Sequence, residues 1–286
     1  MFQILTDSCC DLPKQMLTEY AVGCAPLTVH YDDTTVFPDG DMDPVKFYEG
    51  VRSGKMPKSA AVNPDQWGKL MRAALERGED VLVLAMASGI SATYQSAVIA
   101  ADDLAEEFPQ RTVKVVDTTQ GSLTEGLMVL KAAELRDAGM TAAEAAAWFE
   151  EHKKDYCIWL TVEDLMHLKR GGRVSSTTAI VGTMLQVKPL LYLNEEGKLE
   201  SGPKARGRKA SLNALVEKVE TLGTPDANDT VVVGHANCPA DAEYVAQRLR
   251  ERCGVKHVII NYIGNVIGTH VGPGAVVVGF VGNSRA

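Results

Sequence analysis

Ser91 lies in Ser88-Gly89-Ile90-Ser91-Ala92-Thr93-Tyr94-Gln95-Ser96-Ala97, directly after an apolar run at 81–85. A buried strand that runs into a hydroxyl-rich turn and then opens a helix, here over about 94–108, sets a serine Oγ and free backbone N–H groups at one spot. Helix N-termini carry unpaired donors and a partial positive charge, so such a spot favours an anion. Two chemistries follow for Ser91: a nucleophile, or a neutral clamp for a carboxylate. Three more segments end in small polar residues: Thr6-Asp7-Ser8, Ser59 with its neighbours, and Asp117-Thr118-Thr119-Gln120-Gly121-Ser122. Their charged side chains are acidic, Asp7 and Asp117, and the base nearest in sequence is Lys58. Any one of these residues alone reads as ordinary turn and cap chemistry. Four such ends together point to a neutral, hydrogen-bonding site.

The nucleophile has its own argument. Gly89-Ile90-Ser91-Ala92-Thr93 is a loose form of the Gly-x-Ser-x-Gly elbow, on the required strand–turn–helix. Asp117 and either His235 or His270 follow in the order Ser, Asp, His, an order easily met by chance in 286 residues. A serine hydrolase built on Ser91, Asp117 and His270 is therefore the alternative function. Neither Gly-x-x-x-x-Gly-Lys-Ser/Thr nor Gly-x-Gly-x-x-Gly occurs, so a self-contained nucleotide site is not expected. Lys169-Arg170-Gly171-Gly172-Arg173 and Lys204-Ala205-Arg206-Gly207-Arg208-Lys209 read as exposed basic loops able to meet an acidic partner. Glycines at 264, 268, 272 and 274 surround His270; they mean that the backbone passes close to another segment or a ligand.

These residues need a frame. Strand signals at 2–5, 24–30, 81–85 and 112–116 alternate with helices begun by Asp43-Pro44, Asn63-Pro64 and Thr141 with Glu144, a capping box. Non-alternating strands separated by helices predict a mostly parallel sheet covered on both faces. Beyond 155 the pattern changes: strands at 157–162, 187–193 and 198–201, the last two joined by Asn194-Glu195-Glu196-Gly197, then strands at 230–235, 256–262 and 275–281 among helices. That sheet reads as mixed. The expected fold is α/β, with an N-terminal domain over 1–154 and a C-terminal α/β domain over 155–286.

Composition bounds the rest. Hydrophobic residues at 45% and charged residues at 23% suit a globular chain with a full core. A net charge of -8 argues against general nucleic-acid binding, which needs clustered Lys and Arg. The start lacks a basic n-region and a long apolar stretch, and no apolar run approaches the ~18 residues of a membrane span. The six cysteines show neither Cys-x-x-Cys nor zinc spacing and read as buried thiols in a reducing compartment. The expectation is a cytoplasmic protein without metal, cofactor or stable membrane insertion.

Taken together, these segments resemble the DegV family of bacterial fatty-acid-binding proteins, as a single unit over about 2–283. The matching pieces are Thr6-Asp7-Ser8-Cys9-Cys10-Asp11-Leu12-Pro13, Met56-Pro57-Lys58-Ser59, the stretch from Ser88 to Ala97, and Asp117-Thr118. Leu168-Lys169-Arg170-Gly171-Gly172-Arg173-Val174-Ser175, Lys188-Pro189-Leu190 and Thr269-His270-Val271-Gly272-Pro273-Gly274 complete it. The resemblance implies a carrier rather than a catalyst. One long-chain fatty acid such as palmitate, stearate or oleate lies in a buried tunnel between the domains, its carboxylate held by Ser59, Ser91 and His270. Asp7, Ser8, Thr93 and Asp117 would be pocket neighbours. It further implies presentation of the carboxylate to a fatty acid kinase catalytic subunit, for acyl phosphate and phospholipid synthesis, with Arg170, Arg173 and Arg206 facing that partner. After Lys58 the family usually reads Thr-Ser-Gln-Pro-Ser; here it is Ser59-Ala60-Ala61-Val62-Asn63, which keeps the first hydroxyl and loses the polar groups after it.

Overall fold

The computed structural model describes residues 1–174, 187–224 and 227–286; Ser175 of the basic motif lies outside them. In chain order the elements are β1 (Phe2–Asp7), α1 (Lys14–Glu19), β2 (Val22–Ala25), β3 (Thr28–His30), β4 (Val36–Pro38), α2 (Pro44–Arg52), β5 (Lys58–Ala60) and α3 (Pro64–Glu76). Then come β6 (Asp80–Ala85), α4 (Thr93–Glu107), β7 (Val113–Asp117), α5 (Ser122–Asp137), α6 (Ala142–His152), β8 (Tyr156–Thr161) and α7 (Met166–Arg170). Further on are β9 (Val187–Leu193), β10 (Leu199–Arg206), α8 (Arg208–Leu222), β11 (Thr230–His235), α9 (Pro239–Cys253), β12 (His257–Tyr262), α10 (Asn265–Val271) and β13 (Val276–Val281).

The strands form an α/β architecture of two main sheets. One is parallel throughout, in the order β2-β1-β6-β7. The other is mixed, in the order β10-β9-β8-β13-β11-β12, with β11 and β12 its parallel pair. The Val81-Leu82-Val83-Leu84-Ala85 run of β6 is fully buried, as the absence of alternation required. Helix α5 packs on both sheets, touching β1 and β6 on one side and β8, β11 and β13 on the other. It is accordingly buried over most of its length, polar Ser122, Thr124 and Glu125 included, and glycine stands at 279 because a Cβ there would lie 2.1 Å from Thr124 Oγ1.

Two elements depart from the sequence reading. The expected strand at 24–30 is broken: β2 ends before Pro26, which lacks the N–H a ladder needs, and β3 belongs to a separate antiparallel sheet, β4-β3-β5. The glycine-rich stretch around His270, to which the sequence reading gave no element, forms the helix α10.

The two main sheets are also tied by the C-terminus. The buried Arg285 donates to Asn194 O at 2.7 Å, to Thr119 Oγ1 at 2.8 Å and to Lys154 O at 3.3 Å. These acceptors belong to the β9–β10 turn, the segment after β7 and the connection into β8.

Candidate functional site

A cavity of about 300 Å³ lies between the main sheets, at the low end of the range, roughly 300–1,000 Å³, of small-molecule sites. Its walls are largely apolar: Leu27 and Met86 come from the N-terminal half, and Ile158, Leu160, Leu193 and Val277 from the mixed sheet. Its polar side chains are Ser59, Ser91, Ser122, Arg173 and His270.

Ser59 sits on β5, opposite Val29, and His270 on the last turn of α10. Their side chains meet at 2.8 Å between Oγ and Nε2, across 211 residues of sequence. Burial, then the charge of Arg173, pulls the His270 imidazole down to about 4, so the ring is neutral at physiological pH. His270 Nδ1 is buried without a hydrogen-bond partner among the described residues. It lies against Gly171, where a Cβ would stand 2.2 Å away. Glycine at 171 is thus required by the ring, not by a turn.

Ser91 follows β6 as expected and enters the same cavity. Its Oγ accepts from Thr93 N at 3.2 Å and lies 2.9 Å from Thr93 Oγ1, so Thr93 supports Ser91 from behind without itself lining the cavity. One of the α4 N-terminal amides is therefore already used.

Other expected neighbours stand elsewhere. Asp117 accepts from Ser88 N at 3.1 Å and Thr119 N at 2.9 Å, shaping the loop rather than the cavity. With Asp117 committed there and His270 turned to Ser59, the Ser91–His270–Asp117 relay of a hydrolase is not assembled. His235, the other candidate base, is buried against Tyr262, with its Nδ1 unpartnered among the described residues. Asp7 is buried outside the cavity wall, accepting from Cys9 N at 3.0 Å and Met86 N at 2.9 Å, and burial raises its carboxyl to about 7. Ser8 faces a second cavity, where it donates to Asp39 Oδ2 at 2.9 Å.

The three arginines separate. Arg170, at the end of α7, and Arg206, at the end of β10, are exposed. Arg173 is not a surface group of the same kind: it is half-buried, lines the cavity and donates from Nε to Ile90 O at 3.2 Å. Gly172, at φ +70°, turns the chain so that Arg173 points inward while Arg170 points out. The site is therefore less neutral than its hydroxyl-rich segments suggested. Ser122, at φ +53°, also lines the cavity, with its hydroxyl donated to Asp11 Oδ2 at 2.6 Å. Sequence gave no signal for that orientation. All six cysteines are free, and no cluster of three metal-ligating side chains exists among the described residues.

The family model described as "Uncharacterised protein, DegV family" matches residues 1–283. The chain belongs to the DegV family. A DegV domain-containing protein of Clostridium perfringens is 38% identical over 286 residues, covering 99% of this chain and 98% of the relative. Among solved structures, a DegV lipid-binding protein of Thermotoga maritima superposes with a TM-score of 0.87 at 31% identity, covering 100% of both chains. A fatty-acid-binding DegV-family protein of Thermus thermophilus gives a TM-score of 0.86 at 30% identity, covering 98% of this chain and 99% of that one. The pairing of a parallel and a mixed sheet is the DegV fold.

Proposed function

We propose that this chain binds one long-chain fatty acid, its tail in the cavity between the sheets and its carboxylate against Ser59, Ser91 and His270. The observation that carries this reading is the make-up of the site: an apolar chamber from both sheets whose wall holds two hydroxyls and a neutral imidazole, Ser59 and His270 in direct contact. Fatty-acid and lipid binding by the Thermus and Thermotoga relatives supports it. Burying alkyl chain yields about 0.8 kcal/mol per methylene, so a 16-carbon tail supplies on the order of 10 kcal/mol before ordering costs. The carboxylate sheds water on binding and needs donors to replace it. Hydroxyls supply these without a locked ion pair; Arg173 adds a positive charge at the cavity wall.

The finer reading is a carrier working in the cytoplasm, which presents the carboxylate to a fatty acid kinase for acyl-phosphate formation and phospholipid synthesis. Exposed Arg170 and Arg206 are the groups proposed to face that partner. No helix among the described residues is long and apolar enough to cross a membrane. Native mass spectrometry of the purified protein, followed by denaturing extraction, tests the core of the proposal. One intact acyl chain per protein is expected; protein that emerges ligand-free and ignores added oleate and palmitate ends it. Stoichiometric labelling of Ser91 by a fluorophosphonate, with ester turnover lost in Ser91→Ala, would restore the hydrolase.

A further inference from the structure

Helix α10 supplies Val266, Ile267, His270 and Val271 to the cavity, yet it is fixed from the opposite side. Asp39 Oδ1 accepts from Asn265 N at 3.0 Å and Val266 N at 3.4 Å; Asp11 Oδ1 accepts from Gly264 N at 2.9 Å. The other oxygens are tied as well, Asp39 Oδ2 to Ser8 Oγ and Asp11 Oδ2 to Ser122 Oγ. The fit is close: a Cβ at Gly264 would lie 2.6 Å from Asp11 Oδ1. Neither aspartate lines the ligand cavity, and neither forms a salt bridge among the described residues. Leaving carboxylates enclosed without a cation is costly. A short helix of seven residues has little stability of its own.

We infer that Asp39 and Asp11 are positioning residues for His270: by holding the first amides of α10 they fix where the imidazole stands relative to Ser59 and the ligand. This rests on the fatty-acid reading for its consequence in binding, but the placement of the ring is independent of it. A carboxylate is a stronger acceptor for backbone N–H groups than a neutral oxygen, and its energy is spent on the geometry of a helix whose working end is the last turn.

The test compares Asp39→Ala, Asp39→Asn and the unaltered protein by two readouts: the His270 Cε1 resonance in ligand-free protein, and the affinity for the fluorescent fatty acid cis-parinaric acid. Asp39→Ala is expected to shift the His270 resonance and weaken binding about ten-fold, the usual scale for one lost charge-assisted contact. Asp39→Asn keeps an acceptor for Asn265 and Val266 and should restore both. Should Asp39→Ala not fold, Asp39→Ser, polar but too short to reach Asn265 N, takes its place. An unmoved His270 resonance in the truncated variant, or a failure of Asn to restore it, overturns the assignment. If the unaltered protein does not bind cis-parinaric acid, the fatty-acid reading fails instead, and the resonance still decides the role of Asp39.

Discussion

Two cavities of nearly equal volume, about 300 and about 310 Å³, lie on either side of α10 and share the Ser122–Asp11 contact as a wall. The first is apolar, and its polar side chains are hydroxyls, an imidazole and the arginine at 173. The second is equally apolar, with Leu12, Leu17 and Met42 in its wall, but it also carries the charged side chains Asp11, Asp39 and Lys14. The difference teaches that neither volume nor apolar wall separates the two; the kind of polar group does, carboxylates in the second and hydroxyls, an imidazole and a guanidinium in the first. It also shows a division of labour. Groups facing the first cavity are neutral or cationic, while the carboxylates stand behind, where they hold backbone rather than ligand.

The comparison breaks most sharply if space in the first cavity is irrelevant. Gly121 has extended backbone, and a Cβ there would touch only Ile267 and Ile90 at 3.8–4.0 Å. Gly121→Trp should thus fill the chamber; displacing about five methylenes costs about 4 kcal/mol, roughly a thousand-fold in fatty-acid affinity. Leu17→Trp, at the second cavity, should leave that affinity unchanged in the same titration. Ser91→Ala is the next largest effect: losing a donor to a charged head group costs about 1.5–3 kcal/mol, or ten- to a hundred-fold, while the tail stays bound. A liganded crystal structure with the carboxylate far from Ser91 would count against it.

The two sides also titrate in opposite senses. His270, held near 4 against an ordinary value of 6.5, takes up its proton more readily when the chain is unfolded, so stability is lost as the pH falls below about 6.5 toward 4. Asp7 and Asp39, raised by burial to about 7 and about 6 from 3.8, bind protons more readily in the folded chain. Their contribution to stability therefore improves as the pH falls through 7 toward 4. Two raised carboxyls outweigh one lowered imidazole, so in thermal melts these groups should make stability rise as the pH falls from 7, level off near 6.5–6 and rise again toward 4. His270→Gln should steepen the rise below pH 6.5 and Asp39→Asn should flatten it below pH 6; unchanged profiles in both variants contradict the assignment. The smallest effect is expected for Arg170→Glu and Arg206→Glu, which should leave fatty-acid affinity intact and weaken association with the proposed kinase partner in a salt-dependent way. Arg173→Glu, facing the cavity, should instead impair ligand retention.

Much of this was legible before the structure. Non-alternating apolar runs gave the parallel sheet, and the Asn194–Gly197 turn gave the β9–β10 hairpin. The serine at 59 and the histidine at 270, 211 positions apart, came from the family resemblance, because no local pattern joins them. What sequence hid was direction. Arg170 and Arg173 look alike in the basic run Lys169–Arg173, yet with a left-handed turn at Gly172 between them one is exposed and the other lines the cavity. Asp117 looked like a site residue because it ends a strand; it proved to be the acceptor that shapes the Ser88 loop. The hold of Asp39 on α10 spans 226 positions and leaves no periodic trace.

The placement of β13 has a consequence for how the chamber comes into being. This last strand lies at the centre of the mixed sheet, between β8 and β11, and Val277 on it lines the cavity. Arg285 then fastens the chain end to three distant segments. During synthesis, the N-terminal sheet can be complete while β8 and β11 still expose bare edges and the chamber lacks a wall. A nascent chain short of residue 276 therefore has nowhere to enclose a ligand. A chain cut short before β13 would present open strands to its neighbours instead of an enclosed cavity.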